Sequence, residues 1–132
     1  MSAIEPQFKY TEEHEWAEKT ADRMVRIGIT DFAQHQLGDI VFVELPAAGK
    51  QVEAGEALGV IESVKTVADL FSPVKGNIIS VNEALLDAPE LLNNEPYGSG
   101  WIMEIEVDGE ADEALAPLLT AEAYAKLTDE QA

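Results

Sequence analysis

Residues 58–71 constrain the fold of this chain more than any other stretch. They read Leu-Gly-Val-Ile-Glu-Ser-Val-Lys-Thr-Val-Ala-Asp-Leu-Phe, with apolar runs on both sides of a short polar centre. Two such runs predict a pair of strands that meet at a turn around residues 63–66, with Lys65 at the tip. A lysine in a turn is most often a solvated charge, but this turn lacks the Asn-Gly or Gly-rich pairs that usually close a hairpin. The side chains of the turn are therefore candidates for function.

The rest of the chain also reads as short strands separated by short turns. Val25, Ile27 and Ile29 alternate with small or polar residues, and residues 101–107 alternate in the same way. Alternation of this kind is typical of half-buried strands. Because parallel strands need long crossover connections, short turns predict antiparallel sheets.

Helices are expected to be few and short. Thr30 is a candidate N-cap for a helix that ends at Gly38. Beyond Gly109 the pattern becomes helical, and Thr120 is a second candidate N-cap. We expect one domain over residues 1–132, with a core at about 8–108 and a C-terminal helical segment at about 112–128.

Charge and composition exclude several classes of function. The chain of 132 residues has a formal net charge of -18, which disfavours nucleic acid and anionic membranes as partners. It has no cysteine, so a disulfide framework or a thiolate nucleophile is excluded and any redox chemistry belongs to a cofactor. His14 and His35 are the only histidines and show no ligand spacing, so no metal site is expected.

Residues 62–66, Glu-Ser-Val-Lys-Thr, closely resemble the lipoyl-attachment motif of the glycine cleavage H proteins, which usually reads Glu-Ser-Val-Lys-Ala. Thr66 is the one departure. Further segments match the family in the same order: His14-Glu-Trp16, residues 28–31, residues 38–46 and the Pro96-Tyr-Gly stretch before Trp101. The resemblance runs from about Phe8 to the C-terminal helix.

The resemblance implies a mainly β fold, a barrel-sandwich hybrid of two antiparallel sheets of the lipoyl/biotinyl-carrier type, with short helices. It implies lipoate attached to Lys65 and a non-catalytic role as a shuttle. The shuttle would carry an aminomethyl group from glycine decarboxylase (P protein) to aminomethyl transferase (T protein), and dihydrolipoyl dehydrogenase (L protein) would reoxidise it. A lipoate ligase or lipoyl transferase would modify the lysine, since a protonated lysine does not attack an acyl group unaided.

Four more residues near the lysine or its arm are candidates for function. Glu15 and Asp69 match family positions near the lipoyl arm, and we expect them to dock its cationic amine. Glu62 and Ser63 are candidates for recognition by the lipoylating enzyme, or they simply close the turn.

Other functions are compatible with the same residues. The chain could be an H-like carrier or a lipoyl donor that serves other partners, or an unmodified binding module whose hairpin merely displays a lysine. The N-terminal residues show neither a secretory nor an Arg-rich targeting pattern, which predicts a cytoplasmic protein. A mature chain of the mitochondrial matrix would read the same. Transient docking to several enzymes favours a monomer.

Overall fold

The computed structural model describes residues 3–131. These residues form nine strands and five short helices, which we number along the chain. The strands are β1 Lys9–Tyr10, β2 Glu15–Ala21, β3 Met24–Ile29, β4 Ile40–Glu44, β5 Gln51–Val52, β6 Ala57–Ser63, β7 Val67–Phe71, β8 Gly76–Val81 and β9 Met103–Val107. The helices are α1 Asp31–Leu37, α2 Ala84–Asp87, α3 Leu91–Asn94, α4 Ala111–Leu115 and α5 Ala121–Gln131.

The strands form two sheets. The larger has the order β1-β2-β3-β9-β8-β5 and the smaller has the order β4-β6-β7, and every pairing is antiparallel. This confirms the expected mainly β fold with two antiparallel sheets and short helices. The hairpin expected within residues 58–71 is formed by β6 and β7, with Glu62 opposite Val67 as the last pair before the turn.

The main core lies where both sheets contribute alternate side chains. Val25 and Ile27 of β3 and Ile105 of β9 are fully buried, and Val43 and Ile61 bring the smaller sheet into the same cluster. Burying an aliphatic side chain contributes about 1.5–3 kcal/mol. The alternation therefore fixes the register, because a slip of one residue would expose the whole apolar set.

Helix α1 begins and ends where the sequence predicts. The Thr30 hydroxyl accepts a hydrogen bond from the Ala33 amide at 3.1 Å, which satisfies one free donor of the first turn. Gly38 ends the helix with φ of 76°, a backbone conformation that favours glycine. Its amide still donates to the Gln34 carbonyl, so the chain turns sharply into β4.

A second, aromatic cluster attaches the C-terminal helix to the larger sheet. The rings of Tyr10 and Tyr124 stack with centroids 4.5 Å apart, and both side chains are fully buried. Trp16 packs beside them and donates its indole N–H to the Pro96 carbonyl at 2.9 Å. The predicted cap of α5 is confirmed, because the Thr120 hydroxyl accepts from the Ala123 amide. Helix α5 ends at Gln131, slightly beyond the end expected for the C-terminal helical segment at about residue 128.

One expected strand boundary is wrong. The alternation of residues 101–107 predicts that Trp101 belongs to the strand, but β9 begins at Met103. Trp101 is only half-buried, joins the aromatic cluster, and lies 5.0 Å from the Arg26 guanidinium, a cation–π distance. The alternation therefore extends two residues beyond the strand, into the end of the preceding loop.

Candidate modification site at the β6–β7 turn

The β6–β7 turn is closed by a serine side chain. The Ser63 hydroxyl accepts hydrogen bonds from the amides of Lys65 and Thr66 at 3.2 and 3.1 Å. The Ser63 amide donates to the Thr66 carbonyl at 2.8 Å. The turn is also attached to the segment before β4, because the Val64 amide donates to the Asp39 carbonyl at 3.0 Å. The backbone is thus held without glycine, by side-chain chemistry typical of tight turns.

Lys65 lies at the tip, and its side chain is exposed. Among the described residues, no carboxylate lies within salt-bridge distance of its amine. The stem of the lysine passes over Gly38, where an added Cβ would lie 3.5 Å from Cε of Lys65. The apolar part of the side chain therefore has a surface to lie on while the amine reaches solvent.

The segment under Lys65 is held by Asn93 of α3. Its side-chain amide donates to the Gly38 carbonyl at 2.8 Å, and its carbonyl oxygen accepts from the Ile40 amide at 2.9 Å. No motif in the sequence marks Asn93, because its partners Ile40 and Gly38 lie 53 and 55 positions away in the chain.

A cleft of about 260 Å³ opens beside the turn, between α1, β7 and the residues that lead into β2. Glu15 and Asp69 both line it, together with Thr66 of the turn. The walls contributed by α1 and the hairpin are mainly apolar and include Leu37, Ile61, Ala68 and Leu70. The structure therefore brings the two carboxylates predicted from the sequence into one cleft next to Lys65.

Glu15 is almost completely buried, with 2% of its surface exposed. One carboxylate oxygen accepts from the Thr11 hydroxyl at 2.7 Å and the other from the Phe71 amide at 3.1 Å. Burial raises the pKa of Glu15 to about 7, and the two hydrogen bonds oppose this shift only in part. The group can therefore gain or lose a proton near neutral pH.

Asp69 differs from Glu15 in being exposed. It lies on β7, an edge strand of the smaller sheet, opposite Val60 of β6. The cleft thus has one buried carboxyl group and one solvated carboxylate. A cation in it could pair with Asp69 near the entrance and with Glu15 deeper inside.

His14 is a cleft residue that sequence reasoning missed. His14 is half-buried, and its Nδ1 and Nε2 lie 2.8 Å from the Tyr124 hydroxyl and from Oε1 of Gln131. Burial lowers its pKa. Its φ of 67° turns the chain so that its ring faces α5. The partners of His14 lie in α5, 110 and 117 positions away in the chain, so no local sequence pattern predicts these contacts.

Glu62 and Ser63 have different roles in the turn. Ser63 has the contacts of a turn-closing residue, as described above. The Glu62 side chain forms no hydrogen bond or salt bridge with any residue in the range 3–131. It is free to contact another molecule.

Within residues 3–131, no group of three or more His, Cys, Asp or Glu side chains is arranged to hold a metal ion. No helix in the same range is both long enough and apolar enough to cross a bilayer.

Comparison with known proteins identifies relatives over nearly the whole chain. The family model described as "Glycine cleavage H-protein" matches residues 8–131. The glycine cleavage system H protein of Mycobacterium avium is 50% identical over 126 residues, which cover 94% of this chain and 96% of the relative. That of Carboxydothermus hydrogenoformans is 47% identical over 131 residues, covering 99% and 98%.

A solved structure agrees with these sequence matches. The crystal structure of a glycine cleavage system H protein from Mycobacterium marinum superimposes with a TM-score of 0.86 at 41% identity. The superposition covers 96% of this chain and 99% of that one.

Proposed function

The chain belongs to the glycine cleavage H-protein family, and we propose that Lys65 is the residue that carries its lipoyl group. Proteins of this family carry lipoate covalently on a lysine and are non-catalytic components of the glycine cleavage system. This protein is accordingly a lipoyl carrier of glycine cleavage and not an enzyme. We further propose that residues 1–132 form one carrier domain and that it works in the cytoplasm.

One observation carries the assignment of Lys65. Its amine is exposed at the tip of a hairpin that hydrogen bonds hold in place, and a cleft with two carboxyl groups opens directly beside it. A carrier needs an attachment point that reaches into other active sites while its supporting strands stay rigid. Lys75 is exposed as well, but its amine lies within 4.0 Å of Glu53 and Asp108.

The proposed partners are the P, T and L proteins of the system, together with a lipoate ligase or lipoyl transferase. When bound, the lipoyl group supplies the disulfide that accepts an aminomethyl group and two electrons and is later reoxidised. The residues of this chain contribute access, orientation and shielding. Lys65 sets the point from which the arm extends, and Ser63 holds that point still.

The cleft is proposed to hold the loaded end of the arm. A protonated amine there could pair with Asp69 and with ionised Glu15, and the apolar wall would keep water from the carbon–sulfur bond. Because Glu15 is 2% exposed, its charge is poorly screened by solvent. The hydrogen bonds from Thr11 and Phe71 keep its carboxylate oriented when it ionises.

The assignment of Lys65 is tested by intact-mass measurement after incubation with purified lipoate ligase, lipoate and ATP. We expect the wild type to gain one lipoyl group, Lys65→Arg to gain none, and Lys75→Arg to behave as the wild type. A lipoyl group on Lys65→Arg would refute the assignment. Glycine–carbon dioxide exchange with purified glycine decarboxylase then tests the partner, and no exchange with the lipoylated protein would exclude it.

The cleft is tested by the lifetime of the loaded carrier. A hydrogen bond to a charged group contributes about 1.5–3 kcal/mol. We therefore expect Glu15→Gln to shorten the lifetime roughly tenfold or more, and Asp69→Asn to shorten it less, because the Asp69 carboxylate is exposed and screened by solvent. Asp87→Asn, in α2 and outside the cleft, is the matched control. Unchanged lifetimes in both cleft variants would refute this role.

A further inference from the structure

The large apolar side chains exposed to solvent are concentrated near Lys65. Val41 and Phe42 of β4 are 54% and 50% exposed, and Val64 and Val67, on either side of Lys65, are 69% and 60% exposed. The other two in the described chain, Ile79 and Leu86, belong to β8 and α2. Contiguous exposed apolar side chains of this kind often mark a protein–protein contact.

The strand register places three of the residues near Lys65 in one row. Glu62 of β6 pairs with Phe42 of β4 on one side and with Val67 of β7 on the other. Residues directly opposite each other in adjacent strands project from the same face of a sheet. Their neighbours Val43 and Ile61 are buried in the core, so this row belongs to the outer face. We call Val41, Phe42, Glu62, Val64 and Val67 the tip surface.

The charged residues in the strands of the smaller sheet are all acidic. Glu44, Glu62 and Asp69 are its only ionisable residues, because β4, β6 and β7 contain no lysine, arginine or histidine. No salt bridge within residues 3–131 involves these three carboxylates. The tip surface is therefore apolar with a central carboxylate, and further carboxylates border it. A protein that covers it gains most by offering apolar contacts and basic side chains.

Access to Lys65 determines which partner this is. An enzyme that acylates the amine must enclose the tip, and in doing so it covers Val64, the adjacent residue. We propose that the tip surface is the docking site of the enzyme that attaches lipoate to Lys65, which covers it with an apolar patch bordered by lysine or arginine side chains. This inference rests on the proposed function of Lys65. It means that the lipoylating enzyme recognises Phe42 of β4 as well as the residues next to the lysine.

The test is the steady-state kinetics of lipoylation by purified lipoate ligase, with the unmodified chain as the varied substrate. Apolar side chains that a partner buries contribute much of the affinity at an interface, so their loss weakens binding. We expect Phe42→Ser and Val67→Ser to raise KM roughly tenfold or more, with kcat changed less than about twofold. Ile79→Ser and Leu86→Ser are matched controls, since they remove equally exposed apolar side chains elsewhere, and we expect a KM within about twofold of the wild type.

The salt dependence provides a second measurement. If basic side chains meet Glu62, added salt should raise the KM of the wild type, and Glu62→Gln should make KM less sensitive to salt. Thermal unfolding of each variant establishes that the chain is folded. Because Phe42 and Val67 are exposed, we expect their substitution to leave the unfolding temperature within a few degrees of the wild type.

The outcomes separate this inference from the one on which it rests. If Lys65 is lipoylated and Phe42→Ser has the same KM as Ile79→Ser, the proposed docking site is refuted, but the assignment of Lys65 as the lipoylated residue holds. If the wild type gains no lipoyl group, the proposed function fails first. Sedimentation tests a different occupant, because a wild-type dimer that Phe42→Ser dissociates would show that a second copy covers the surface, which also refutes the proposal.

Discussion

Two hairpins of this molecule each present an exposed basic residue at the tip. The β2–β3 hairpin turns at Asp22 and Arg23, and the β6–β7 hairpin turns around Lys65. Neither turn contains glycine or asparagine. The residue types that close the two turns do not by themselves explain why only one tip matches a lipoyl-attachment motif.

Their surroundings differ. At the β2–β3 tip, the carbonyls of Asp22 and Arg23 accept hydrogen bonds from the amides of Ala111 and Val107, at 2.7 and 2.8 Å. That tip is therefore joined to the chain at the end of β9. At the β6–β7 tip, exposed apolar side chains flank Lys65 and a cleft opens beside it. The comparison shows that an exposed cation becomes a candidate attachment site through its neighbours.

The largest expected effect comes from moving the lysine between the tips. In a Lys65→Arg, Arg23→Lys double variant, the only lysine at a hairpin tip lies on β2–β3. We expect complete loss of lipoylation, because that lysine lacks the tip surface. Intact mass after treatment with lipoate ligase is the measurement. A lipoyl group on residue 23 would mean that any hairpin lysine suffices, and the comparison would fail.

The next effect concerns the buried carboxyl group in the cleft beside the β6–β7 tip. Burial raises the pKa of Glu15 from 4.5 to about 7, so the folded chain holds a proton that the unfolded chain releases over this interval. The resulting stability is present below pH 4.5 and is lost as the pH rises through 7. We expect the free energy of unfolding of the wild type to fall by about 3 kcal/mol relative to Glu15→Gln between about pH 4 and 8. Parallel pH profiles in urea unfolding would contradict this.

A smaller effect is expected from the side chain that closes the β6–β7 turn. Ser63→Ala removes a hydroxyl that holds two backbone amides, so we expect a loss of about 1 kcal/mol in unfolding free energy. We also expect slower lipoylation, because the lysine would be less well positioned. Ser99→Ala is the control, since that hydroxyl has a single 3.4 Å contact with Glu95. If the two substitutions have equal effects, the Ser63 hydroxyl does not stabilise the β6–β7 turn as proposed.

The smallest effect is expected at the other tip. Arg23→Ala leaves the backbone carbonyl and its hydrogen bond from Val107 in place. We therefore expect a change in unfolding free energy within about 0.5 kcal/mol, and unchanged lipoylation. A large loss of either would show that this tip has a function of its own. Chemical denaturation and intact mass measure the two quantities.

Local patterns predicted the parts of the fold that local chemistry controls. The residue types of Thr30, Gly38 and Thr120 alone predict these helix ends, and each residue has the expected role. The hairpin around Lys65 was predicted from its two apolar runs. Trp101 shows the limit, because an alternating pattern continued past the true start of β9.

The candidate site was predictable only in part. Lys65, Glu15 and Asp69 were assigned through a family resemblance, and the cleft that Glu15 and Asp69 share depends on the tertiary fold, which places α1 and β7 on its two sides. Asn93 and His14 were missed because their partners are distant in sequence. The Asn93 side chain bonds to Gly38 and Ile40, and the His14 ring lies near Tyr124.

The sequence alone determined the strand pattern, the helix caps, the acidic charge and the position of a lysine at a hairpin tip. Each depends on neighbours within a few residues, since side-chain alternation and capping are local properties. Only the tertiary structure decided that Glu15 is buried and Asp69 is exposed in one cleft, and that Phe42 lies beside Glu62. Burial and cross-strand contact depend on sheet order and packing, which join residues far apart in the chain.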